Sequence, residues 1–161
     1  MMKKFLLSLA VGAALATSAQ AATISVGTEA TFAPFEFMDE QTKQLTGFDM
    51  EIIEAVAKEM GDEVRVHNMG FDALIPSLQT GIIDVTVAAM TITPERQKRV
   101  DFTDPYYQSG LVIMVRKEDA KKYTNFESLE GQRLCAQIGT TGAMMAKRVK
   151  NAKVTEFNSI T

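Results

Sequence analysis

The chain has 161 residues, of which 46% are apolar and 23% charged, and its formal net charge is −3 at pH 7. These are globular proportions and exclude a disordered, collagen-like or repetitive chain. An acidic balance without a basic run excludes nucleic acid as the expected partner, because phosphate recognition needs a positive face.

Met1-Met2-Lys3-Lys4 is a basic start, Phe5 to Ala16 is an apolar run too short to span a bilayer, and Ala19-Gln20-Ala21 is a small-residue cleavage pattern. Residues 1–21 therefore read as a secretory signal peptide. Thr23 to Gly27 reads as a short strand and Thr28 to Met38 as an aromatic-rich loop. After Gly47, the residues Phe48, Ile52, Ile53, Val56 and Met60 recur at helical spacing, and Gly61 stops the helix. Val64 to Met69 alternates apolar and polar, as a strand does. Asp72 is placed to cap a second helix carrying Leu74, Ile75 and Leu78, with Pro76 near its first turn and Gly81 at its end. Asp84 to Met90 is dense in Val and Ala and predicts a third strand. Thr93-Pro94 starts a helix, and Asp101 to Tyr107 is a loop. Gly110 to Arg116 predicts a long strand crossing between two halves. Asn125 to Glu130 follows as a short helix, then Leu134 to Ile138 as a strand, the turn Gly139-Thr140-Thr141-Gly142, a helix over Ala143 to Val149 and a strand over Val154 to Phe157. Cys135, the single cysteine, makes no internal disulfide and reads as core filler.

Strands alternating with helices imply an α/β fold with parallel sheets flanked by helices. Ligands of such sheets sit at the carboxyl ends of the strands. The first strand delivers Glu29 and Phe32 there. The second delivers Phe71, and the third delivers Ala89, Met90 and Thr91, with Arg96 one helical turn on. Gln137, Thr140 and Thr141 come from the second half. Arg96 is an always-charged fork suited to a carboxylate. Backbone N–H groups at Thr140 to Gly142 form a second anion cradle. Phe32 and Phe71 are placed to clasp a side chain, and Glu29 accepts from an ammonium, amide or guanidinium. The set suits a zwitterion with a polar side chain. His67 lies in a strand pattern without a Cys or His partner and reads as structural. No Ser/His/Asp order, Walker loop or zinc motif is present, so no cofactor or metal is expected.

Gly27-Thr28-Glu29-Ala30-Thr31-Phe32-Ala33-Pro34-Phe35-Glu36-Phe37 resembles the opening of family 3 extracellular solute-binding proteins. Gly47-Phe48-Asp49-Met50-Glu51, the block from Phe71 to Asp84, Met90 to Arg96, Asp101 to Tyr107, and Gly139 to Gly142 are similar to that family's later motifs, in the same order. The resemblance implies a periplasmic binding protein-like fold: a first lobe over 22–110, then a hinge strand and an incomplete second lobe over 111–161. It implies a monomer in the periplasm that binds a free polar amino acid, arginine, lysine or glutamine, and hands it to an inner-membrane ABC permease. Carried over by position, Arg96 and the Thr141 N–H grip the α-carboxylate beside Thr140. The Ala89 carbonyl and the Thr91 hydroxyl, flanking Met90, take the α-ammonium. Glu29, Phe32, Phe71 and Gln137 hold the side chain. The resemblance further implies a C-terminally truncated chain that lacks an Asp for the ammonium and binds amino acid poorly or not at all. An enzyme on the same fold, a cyclohexadienyl or arogenate dehydratase, is the alternative, with Glu29 as its only candidate acid or base. The ligand-binding half of a membrane receptor is a third possibility.

Overall fold

A computed structural model describes residues 21–160. Apart from Ala21, the expected leader lies outside the described residues. The N-terminal part is a parallel three-stranded sheet in the order β5–β1–β6, formed by β1 (Thr23–Thr28), β5 (Glu63–Asn68) and β6 (Val85–Thr86). β1 and β5 pair along their full length, from Thr23 opposite Glu63 to Thr28 opposite Asn68. α1 (Phe48–Met60) and α2 (Phe71–Gln79) pack on this sheet. On one face Met50 and Ile53 of α1 meet Val26 and Val87, with Ile24, Val64, Val66 and Val85 around them. On the other, Gly27 lies so close to α2 and the chain before β6 that a β-carbon there would stand 2.4 Å from Ile83 Cδ1 and 3.0 Å from Leu74 Cδ2. Leu74 and Ile83 are among the most buried side chains. Parallel strands covered on both faces read as apolar runs, and Ile24 to Thr28 and Ile83 to Ala89 do so.

The C-terminal part is a parallel pair, β7 (Arg133–Gln137) and β8 (Lys153–Phe157), with α4 (Thr141–Ala146) packed against it. Short 3₁₀ turns at Lys117–Asp119 and Glu127–Leu129 precede it. α3 (Pro94–Gln97) begins as expected: Thr93 Oγ1 accepts from the Arg96 N–H and Pro94 occupies the first helical position. Among the described residues, no helix is long and apolar enough to cross a membrane.

Several expectations need correction. The 28–38 stretch is not a plain loop. β2 (Thr31–Phe32), β3 (Glu36–Met38) and β4 (Leu45–Thr46) make a small antiparallel sheet. The buried stripe of α1 runs through Met50, Ile53 and Ala57, whereas Phe48, Val56 and Met60 are exposed. Small Ala57 is almost fully buried on that stripe, and larger residues of the helix are left outside it. Asp72 is not a cap; Gly70 holds that position, and Asp72 stands in the first turn of α2. Strand pairing at β6 stops after Thr86, short of the expected Met90; the Val87 N–H still donates to the Gly27 carbonyl at 3.1 Å, and Ala89 lies in the left-handed region with φ of 44°. Gly110 to Arg116 forms no strand: no neighbouring strand supplies hydrogen bonds, and Val112 and Met114 are almost fully exposed. Cys135 is exposed rather than core, because Arg133, Cys135, Lys153 and Thr155 share the face of the β7–β8 pair that nothing covers.

Candidate functional site

The two parts meet at the carboxyl ends of their strands, and Arg96 stands at the meeting point. It is 5% exposed. Its Nη1 donates to the Thr91 carbonyl at 2.6 Å, and its Nη2 crosses to the C-terminal part to donate to the Gly139 carbonyl at 3.0 Å. The Phe71 ring lies beneath the guanidinium, with Cζ 5.3 Å from its centroid. Among the described residues no carboxylate forms an ion pair with Arg96. Burial draws its pKa below the ordinary arginine value. A buried cation is costly unless it is paired or well hydrogen-bonded. Two of the five guanidinium N–H donors have carbonyl partners, and three are left for an anion.

The cavity at this point is about 200 Å³ and is lined by Phe71, Asp72, Ile75, Met90, Glu95, Arg96, Arg99, Gly139 and Met144. Of the residues singled out from sequence, Phe71, Met90 and Arg96 line it. Ala89 and Thr91 flank Met90, and Thr91 contributes its carbonyl to Arg96. Thr140 is the N-cap of α4: its hydroxyl donates to the Gln137 carbonyl at 2.8 Å and accepts from the Ala143 N–H at 3.2 Å. Thr141 and Gly142 stand in the first turn, where helix geometry leaves N–H groups without carbonyl partners. Gly139 has φ of 76°, and a β-carbon there would stand 3.1 Å from Asp72 Cβ and 3.2 Å from Asp72 Cα. The loop is therefore seated directly on the start of α2.

A second bridge joins the two parts. Glu29, at the end of β1, accepts a hydrogen bond from Gln137 Nε2, which also donates to the Asn158 carbonyl at 3.2 Å. Both residues are buried. Burial raises the Glu29 pKa, the Gln137 hydrogen bond opposes that rise, and the nearby Asp72 charge adds to it. Phe32 does not join Phe71. It is 42% exposed and stacks on Phe35 at 5.6 Å, in a ring cluster with Phe48, Tyr106 and Tyr107.

Sequence reading passed over a group behind the Ala89 loop: Asp49, Glu36 and Tyr106. Asp49 Oδ2 accepts from the Ala89 N–H at 2.7 Å and from the Tyr106 hydroxyl at 3.0 Å. Asp49 is a helix-start acid by position, and only its full burial distinguishes it from an ordinary first-turn carboxylate. Asp72, on α2, and Arg99, in the turn after α3, line the cavity and were passed over as site residues, being charged side chains of kinds that ordinarily face solvent.

Solved structures similar to this chain include amino acid-binding proteins. An ancestral arginine-binding protein bound to arginine superposes with a TM-score of 0.81 at 45% identity, covering 84% of this chain and 61% of that one. The ancestral amino acid-binding protein AncCDT-1, a precursor of cyclohexadienyl dehydratase, superposes at 0.80 with 43% identity, over 85% of this chain and 61% of that one. In sequence, a probable histidine-binding protein of Campylobacter jejuni is 42% identical over 133 residues, which is 82% of this chain and 50% of that protein. The fold is thus α/β and periplasmic binding protein-like, present in part. The chain belongs to the bacterial extracellular solute-binding proteins, family 3, whose pattern matches residues 24–159. It spans about half the length of the curated relatives it matches.

Proposed function

We propose that this chain is the ligand-holding portion of a periplasmic protein that binds a cationic or amide-bearing amino acid and delivers it to an ABC permease. The observation that carries the reading is Arg96: a buried guanidinium without a carboxylate partner, offered to a cavity where the two parts of the chain meet. Three free donors match the two oxygens of an α-carboxylate, with the Thr141 N–H supporting them from the other side in a turn that Thr140 holds as the N-cap of α4. Ala89 and Thr91, either side of Met90, take the α-ammonium. Phe71 lies alongside the ligand, and Glu29 with Gln137 reads the end of its side chain. The Asp72 charge beside Glu29 makes that end acidic in character, and a cationic side chain placed there would offset the burial that raises the Glu29 pKa, which favours arginine, lysine or histidine over glutamine. The division at about residue 110 then separates two lobes, and closure between them encloses the ligand.

Titration of ¹⁵N-labelled chain with arginine, histidine, glutamine and cystine tests this. Arginine or histidine shifts the amides of residues 71, 89–91 and 139–142 more strongly than glutamine or cystine does. Shifts spread over the surface, or none at high ligand, overturn the reading. An enzymatic reading is favoured by the likeness to a dehydratase precursor, with Glu29 as the acid. Appearance of aromatic product from prephenate or arogenate, lost in Glu29→Gln, would replace the binding reading with that one.

A further inference from the structure

Behind the Ala89–Thr91 loop, four elements converge on two buried carboxyls. Glu36 comes from β3 and Asp49 from the first turn of α1, and they are 1% and 0% exposed. Asp49 acts on Glu36 both through its charge and through a side-chain hydrogen bond. Yet Glu36 Oε2 and Asp49 Oδ1 have no donor among the described residues. Two ionised carboxylates cannot supply one, since each only accepts. The other Asp49 oxygen is fully engaged, holding the Ala89 N–H at 2.7 Å and the Tyr106 hydroxyl at 3.0 Å. Ala89 has φ of 44°, an uncommon backbone state for a residue with a β-carbon, kept where surroundings fix it.

We propose that Glu36 and Asp49 share one proton, and that the pair is a positioning device that holds the Ala89–Thr91 loop and ties it, through Tyr106, to the segment leading into 110–116. One proton between the carboxyls gives both orphaned oxygens a partner. It leaves the negative charge on Asp49, where the Ala89 N–H and the Tyr106 hydroxyl stabilise it. The groups acting on Glu36 are Asp49 and Glu29, both acidic, and no cation among the described residues acts on it to favour ionisation. Burial, followed by the Asp49 charge, the hydrogen bond to Asp49 and the Glu29 charge, pushes the Glu36 carboxyl up to about 9. Burial and the same two acids, Asp49 and Glu36, keep the Tyr106 hydroxyl protonated and able to donate. Glu36, Asp49 and Tyr106 are positioning residues: by aiming the Ala89 carbonyl they set where an ammonium is received.

The proposal rests on the amino-acid-binding reading only for what the loop receives. Its test needs no ligand: ¹³C-carboxyl NMR of the whole chain across pH, with amide hydrogen exchange at Ala89. The Glu36 carboxyl carbon keeps its protonated shift at pH 7, and Asp49→Asn lowers its titration midpoint. Ala89 exchange quickens about tenfold or more in Asp49→Ala, the loss expected for a hydrogen bond to a charged acceptor. Glu36→Gln, whose amide still donates to Asp49, keeps Ala89 protected and removes the pH dependence. An ionised Glu36 at pH 6, or Ala89 exchange unchanged in both Asp49→Ala and Asp49→Asn, overturns the proposal. If Asp49→Ala does not fold, Tyr106→Phe and Glu36→Gln carry the test: the first loosens Ala89, and the second does not. If the network behaves as stated but arginine fails to shift amides 89–91, the ligand reading fails while the network stands.

Discussion

Replacing Gly139 by alanine separates the contact between the two parts of the chain from the stability of either part. Two terms act there. The backbone has φ of 76°, which an L-residue adopts at a cost of about 1 kcal/mol or a little more. The new methyl would meet Asp72 Cβ at 3.1 Å and Asp72 Cα at 3.2 Å, and the second of these is backbone that cannot rotate away. Overpacking of that kind costs about 1–3 kcal/mol. Gly131 supplies the control: its φ is 71°, and a β-carbon there meets nothing within 4 Å, so Gly131→Ala carries the strain without the clash. Gly139→Ala therefore loses about 1–3 kcal/mol more than Gly131→Ala, and the loss is confined to the junction. Hydrogen-exchange mass spectrometry reads the difference. Protection falls in peptides covering 71–79 and 139–146, as the Arg96 bond to the Gly139 carbonyl lengthens, while β1 and β5 stay protected. Equal exchange in the two variants would refute the close seating of the 139–142 loop on α2.

Other consequences are checked with simple measurements. Glu36 titrates near 4.5 when unfolded and at about 9 when folded, so between those values the native state holds one proton more than the unfolded state. Its contribution is fully present below 4.5 and is lost as pH rises, at about 1.4 kcal/mol per pH unit. Urea denaturation at pH 5 and pH 8 finds the wild-type chain weaker at the higher pH, and Glu36→Gln removes most of that slope. Arg96→Lys keeps the charge but cannot reach the Thr91 and Gly139 carbonyls together, and it lowers the urea midpoint by an amount worth about 2 kcal/mol. Cys135 is exposed, so a thiol reagent modifies it in the native chain about as fast as in the unfolded one.

Elements that signal themselves through local chemistry were legible from sequence. Thr93-Pro94 announces a helix start, and the alternation of Val64 to Met69 marks β5. The strand–turn–helix run through Gln137 and Thr140 places a loop at a sheet's carboxyl edge. Elements that depend on distant partners were not. Gly110 to Arg116 has strand composition, but a strand exists only beside another strand, and none among the described residues pairs with it. Cys135 reads as core because its neighbours are apolar, yet period-two geometry turns it to the bare face. The stripe of α1 was misjudged because size is a poor guide where a small residue, Ala57, takes a buried position.

At the cavity, Arg96, Phe71 and Gly139 were legible because an arginine and a glycine-bounded turn carry recognisable chemistry at strand ends. Asp49, Glu36 and Tyr106 were missed because a first-turn acid, an acid in an aromatic stretch and a loop tyrosine all have common surface explanations. Only burial brings them together, and burial is a tertiary property. Phe32 was placed with Phe71 as a residue delivered by the first strand and by the family resemblance. The short turn after β2 stacks it on Phe35 instead.

A crystal structure of the chain grown with arginine is the most direct test of the central claim. The ligand's α-carboxylate is expected within hydrogen-bond distance of the Arg96 guanidinium and the Thr141 N–H, with its side chain directed along Phe71 towards Glu29 and Gln137. Arginine bound elsewhere, or bound at the cavity with its carboxylate turned away from Arg96, would contradict the account.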